Sequence, residues 1–248
     1  RQNMKTKRGL NGCVLKWIAI ILMVIDHFGA SILENFLLNV WDVSPLGDLL
    51  RDYPDYWDLV LMADRVIRKI GRPAFPVFCF FIVEGFCHTR NVKNYAVRLG
   101  IFALISEVPF DLAIFGTPFH WGHQNVFFTL FLGLLLIWYL RDVSTSTEWS
   151  LAGTLAVCCA AEVLHVDYGA FGVALIGVYY ILRELPVLQA GAGAILSAWE
   201  MPAPLGSLLL LFYNGERGRQ PKWFFYWFYP VHLFLYYVIG TWVLPAWI

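Results

Sequence analysis

Apolar residues gather into nine runs bounded by charges, Gly or Pro: residues 15–37, 73–89, 96–115, 125–140, 150–165, 169–184, 187–199, 203–213 and 226–246. Runs of this length and uniformity predict helices. The pattern therefore predicts an all-α polytopic transmembrane bundle of about nine helices, forming a single membrane domain over residues 1–248. The seventh and eighth runs are short and separated by MPAP, so they read either as two spans or as a re-entrant pair. Either way the chain returns to the side it left. The one long interruption, residues 38–72, is rich in Asp and reads as an acidic outer loop.

Composition agrees with that reading. The chain is 59% hydrophobic and 15% charged, against about 45–50% and about 25% for an ordinary soluble domain, which argues against a water-soluble enzyme. At about 20 residues per span, nine helices use about 180 residues and leave about 70 for connections. Lys plus Arg and Asp plus Glu both number 18, so no basic excess exists to neutralise phosphates, and no nucleic-acid partner is expected. The five cysteines, Cys13, Cys79, Cys87, Cys158 and Cys159, form no CxxC pair, and no disulfide framework or metal site is expected. RQNMKTKR is too polar for a signal-peptide core, so the first run is read as a retained helix.

Charge distribution sets the expected orientation. With the N-terminus inside, one side collects Lys16, Arg90, Lys93, Arg98, Arg141, Arg183, Arg217, Arg219, Lys222 and the basic N-terminal residues. The other side keeps only Arg51, Arg65, Arg68, Lys69 and Arg72. Because Lys and Arg are retained on the cytoplasmic side, the N-terminus is predicted inside and the C-terminus outside.

Several ionisable side chains nevertheless fall inside the apolar runs. Each costs about 2.5–3.5 kcal/mol at mid-membrane on insertion scales, so a group of them points to function. Asp26 and His27 lie near the centre of the first run, Glu84 and His88 share a face of the second, and Glu107 and Asp111 share a face of the third, with Pro109 between them. Lys16 and His27 are eleven residues apart, almost three helical turns. That spacing puts them on one face, roughly 16 Å apart. A donor with phosphates at one end and a long flexible arm, such as coenzyme A, fits a cation at the surface in line with an imidazole at mid-depth. Taken alone, Lys16 is better read as a helix anchor that snorkels to the interface. His27 is the candidate general base, with Asp26 or another carboxylate to align it. Asp26 can also pair with Arg72.

Arg72, Glu84, Glu107 and His232 are the candidate acceptor-side residues, while Asn214, Arg217 and Lys222 join Lys16 as candidates to receive nucleotide phosphates. His120 and His123 lie in an outer loop and lack a third metal ligand. Three function classes follow. One is an enzyme transferring an acyl group from coenzyme A to an amine or hydroxyl. The second is a proton-coupled transporter using Asp26, His27, Glu84 and Glu107 as a relay, against which stands the lack of two similar halves. The third is a non-enzymatic membrane assembly factor, which leaves the buried charges without a task.

The blocks IAIILMVIDHFGA, GRPAFPVFCFFIVEGFCHTRNVKNYAVRLGIFALISEVPFDL, HQNVFFTLFLGLL, DYGAFG, YNGERG and KWFFYWFYPVHL, in that order, resemble the TraX family of bacterial membrane proteins. The resemblance implies a multi-pass protein of the bacterial cytoplasmic membrane. The family's named member is a pilin N-acetylase, and TraX proteins are similar to multi-pass acyltransferases that take acetyl groups from cytoplasmic acetyl-CoA to acceptors that include cell-surface sugars. That likeness implies a basic residue and a histidine on the first helix, matched here by Lys16 and His27. The expected donor is acetyl-CoA, and the expected acceptor is a peptide amine, a sugar or a small molecule.

Overall fold

A computed structural model describes residues 9–38, 51–219 and 221–247. Helix α1 spans Gly12–Phe28 and continues as a π-helix over Gly29–Leu37; it is capped by Asn11, whose side chain accepts from the Val14 amide. Then come α2 (Pro54–Gly71), α3 (Ala74–His88), α4 (Val92–Phe115), α5 (Val126–Asp142), α6 (Thr147–Val163), α7 (Gly169–Ile181), α8 (Pro186–Leu196), the short α9 (Pro204–Leu209) and α10 (Lys222–Val238). Asn91, Asn125 and Ser146 cap α4, α5 and α6 with their side chains, satisfying amides that have no intrahelical partner.

The connections gather at two ends of the bundle. At the proximal end, Leu10 bridges to Tyr213 and the Gly12 amide donates to the Glu216 carbonyl. At the distal end, Gln124 bridges to Val166. Between them lies a core of Leu15, Val77, Phe86, Leu99, Leu134, Ile137, Ile176, Tyr179 and Leu233, while Ile21, Leu104, Val187 and Ile195 stand on the outside. An apolar core wrapped in an apolar surface suits a lipid solvent.

Two expectations change. Residues Pro54–Gly71 of the expected outer loop form α2, which lies along α1; Asp42 and Asp48 of that loop lie outside the described residues. The contact needs Gly71, because a side chain there would collide with the backbone of Asp26. Secondly, among the described residues only Gly12–Leu37 and Pro54–His88 are helical stretches long and apolar enough to cross a membrane unaided. The 11-residue α8 rises about 16 Å, roughly half the hydrocarbon thickness. It packs against α9.

Candidate active site

One face of α1 lines two adjoining cavities. Lys16, Ile20 and Met23 line a proximal cavity of about 690 Å³, and Met23 and His27 line a distal one of about 440 Å³. The steps of four, three and four residues are those of a single helical stripe. Met23, Phe78, Val126 and Tyr229 line both cavities and form the partition between them.

The proximal cavity is cationic and aromatic. Lys16 sits over the rings of Phe81 at 4.7 Å and Phe225 at 5.4 Å, and Arg217 lies within its electrostatic reach. Arg90 from the turn before α4 and Arg98 from its second turn also line it, as does Glu84. The Glu84 carboxylate accepts a 3.0 Å hydrogen bond from the Tyr213 hydroxyl. Glu84, expected beside the acceptor, therefore belongs to the same cavity as Lys16, because α3 runs from the distal to the proximal end and Glu84 lies in its last turns.

In the distal cavity the orienting partner of His27 is His232, not Asp26. His27 Nδ1 and His232 Nε2 are 2.7 Å apart, and His232 Nδ1 is 2.8 Å from the Phe228 carbonyl. A carbonyl only accepts, so His232 Nδ1 carries its proton and its Nε2 is the acceptor. His27 must then donate from Nδ1, which leaves Nε2 as a free lone pair. His232 is buried, whereas His27 is half-buried and opens to the cavity. The result is an imidazole with one nitrogen anchored and the other available to take a proton.

Asp26 turns away because adjacent helical residues diverge by about 100°. Its carboxylate meets Arg68 of α2 at 2.7 Å and Arg72 at 3.8 Å; Arg68 also reaches Glu34 at 3.0 Å, and Arg72 reaches Glu200 at 2.9 Å. The expected Asp26–Arg72 pair is thus present but secondary to Arg68. The far wall of the cavity carries Tyr168, stacked on Phe75 with ring centres 3.6 Å apart, and His123, 3.4 Å from Asp167.

Other expected residues have structural employment. Glu107 accepts from the side chain of Asn125, fixing the N-terminus of α5. The Asn214 side chain accepts from the Glu216 amide, closing the turn that docks on Gly12. Lys222 opens α10, and its side chain lies outside the described ones. Arg68, Arg98 and Tyr229 line the cavities although sequence reasoning did not single them out as site residues. For Arg68 a signal exists: Pro54 at a helix start, Asp55 in the first turn and basic residues in the last mark α2 as a helix. For Tyr229, one of many aromatics in its segment, none does.

The family model described as TraX protein matches residues 11–240. The chain belongs to the TraX family. A "Probable fimbrial assembly protein FimC, serogroup H1" of Dichelobacter nodosus is 33% identical to this TraX-family chain over 251 residues, covering 89% of the chain and 92% of that protein. An uncharacterized protein of Rickettsia prowazekii (strain Madrid E) is 25% identical over 176 residues, 69% of the chain and 55% of that protein. No solved structure matches. The TraX match takes in the Lys16–His27 face, both arginines of the distal cavity and the His232 anchor.

Proposed function

We propose that this TraX-family chain is a membrane-embedded acyltransferase that moves an acyl group, acetyl first, from a coenzyme A thioester to an amine or hydroxyl acceptor. The observation that carries the reading is the free Nε2 of His27, held by His232 on the helix stripe that begins at Lys16 in the cationic cavity. Lys16, Arg98 and Arg217 would meet the donor's phosphates, and the aromatic walls its adenine and pantetheine arm. His27 takes the acceptor proton as the acceptor attacks the thioester carbonyl, and Arg72 and Tyr168 bound the space in which the acceptor lies. Direct transfer is favoured, since among the described residues neither cavity is lined by a Ser or Cys.

The proximal end faces the cytoplasm in this reading, with the N-terminus inside, because Arg90, Arg98, Arg141, Arg183 and Arg217 collect there and coenzyme A is confined to that compartment. The name of the FimC relative makes a pilin amine one acceptor to try first. A proton relay fits less well: Asp26 is held by arginines and Glu107 by Asn125, so the carboxylates do not form a chain.

The test is thiol release from acetyl-CoA by the detergent-purified full chain, offered peptide amines, amino sugars and sugars. Turnover with one acceptor class is expected, and His27→Ala should lower it by about 10²–10⁴-fold while the protein stays monodisperse. Wild-type turnover in His27→Ala would remove His27 as the base.

A further inference from the structure

The partition between the two cavities holds a polar group that the fold leaves without employment. Tyr229 is 3% exposed, it lines both cavities, and its hydroxyl has no hydrogen-bond partner among the described residues. A buried hydroxyl left unmet is destabilising, so its presence needs a reason. Its ring stands edge-on to His27, with centres 5.5 Å apart.

The backbone beside it is equally unspent. Asn125 caps α5 by accepting from the Phe127 amide at 3.0 Å, and its carbonyl accepts from Phe128 at 3.1 Å. The cap leaves over the amide of Val126, which lies near the Tyr229 oxygen without making a hydrogen bond of normal geometry to it and, like Tyr229, borders both cavities. An amide can only donate, so the Tyr229 proton finds no acceptor there and is free for a group entering the partition. Glu107 and the Ala103 carbonyl hold Asn125 in place, which keeps the α5 terminus aimed at that spot.

We infer that the Tyr229 hydroxyl, backed by the Val126 amide, is the oxyanion site that receives the thioester carbonyl oxygen during acyl transfer. The inference rests on the acyltransferase reading and adds the electrophilic half to a site so far described only by its base. The acceptor's N–H or O–H gives its proton to His27 Nε2 as its heteroatom bonds to the carbonyl carbon. The carbonyl π pair moves to oxygen, which takes the Tyr229 hydrogen bond. The pair then returns, the carbon–sulfur bond breaks, and the leaving sulfur takes the proton from His27. Acyl thioester and acceptor become acylated acceptor and free thiol, with no other reactant.

The measurement is isotope-edited infrared spectroscopy of acetyl-CoA labelled with ¹³C at the carbonyl, bound to the full chain in detergent, which needs no knowledge of the acceptor. The wild-type carbonyl band should lie at lower wavenumber than the band in Tyr229→Phe. Thiol release should fall about 10²–10³-fold in that variant, with acetyl-CoA affinity and melting temperature preserved or raised. If the variant does not fold, the wild-type band decides: one at or above the position of an acetyl thioester in alkane overturns the inference. Equal bands and equal turnover in wild type and Tyr229→Phe overturn the oxyanion assignment and leave the acyltransferase reading standing. Wild-type protein that binds no acetyl-CoA removes both.

Discussion

His232 holds His27 through one hydrogen bond, so replacing it separates orientation from basicity. His232→Phe keeps an aromatic ring beside Phe228 and Tyr229 but removes the acceptor of the His27 Nδ1 proton. The expected result is a fall in kcat smaller than that of His27→Ala, with the KM for acetyl-CoA unchanged. Equal losses in both variants, or a loss confined to KM, would contradict an orienting role. At this scale the sequence shows residue types and spacing but not partners. Lys16 and His27 are legible as one face because eleven residues return a helix to nearly the same direction. The His27 anchor is not, because His232 lies 205 residues away and reaches it only once α10 has packed beside α1. Asp26 misleads for the same reason, since adjacency in sequence is divergence on a helix.

Helix α2 matters more than a loop would, since Arg68 ties it to α1 and the π-helical extension through Asp26 and Glu34. The Arg68 and Asp26 side chains are only 20% and 12% exposed. Breaking a fully buried pair costs about 3–5 kcal/mol, and residual exposure brings the expectation for Arg68→Ala down to about 2 kcal/mol. The double variant Arg68→Met with Asp26→Leu should recover part of that loss in unfolding midpoint. A single variant as stable as wild type would show that the pair does not hold α2. At the distal end, His123 links the loop before α5 to Asp167. Its pKa is raised, chiefly by the hydrogen bond to that carboxylate. A raised folded pKa means the pair's contribution is complete below the unfolded value of about 6.5 and is lost as pH rises through the folded value. The melting-temperature advantage of wild type over His123→Asn should therefore be larger at pH 5.5–6 than at pH 8.5; a constant advantage would exclude a titrating pair. Helix positions were legible from apolar runs, whereas α2 was hidden by its aspartates.

At the scale of the molecule, two cavities share one wall and one helix face; in the proposed reading a donor enters from the basic end and an acceptor from the other, to meet beside His27. That arrangement sets the expected topology. Single cysteines at positions 219 and 55 in intact cells should differ towards an impermeant reagent, with position 55 labelled and position 219 protected; the reverse pattern would invert the orientation. The central claim is that coenzyme A is the donor and that its charged end lies at Lys16 and Arg217. Calorimetric titration of acetyl-CoA into the detergent-purified chain tests it most directly. The account predicts binding that weakens with added salt, weakens further in Lys16→Ala and Arg217→Ala, and is unaffected by Arg65→Ala. No heat of binding from coenzyme A or acetyl-CoA at millimolar concentration would contradict it.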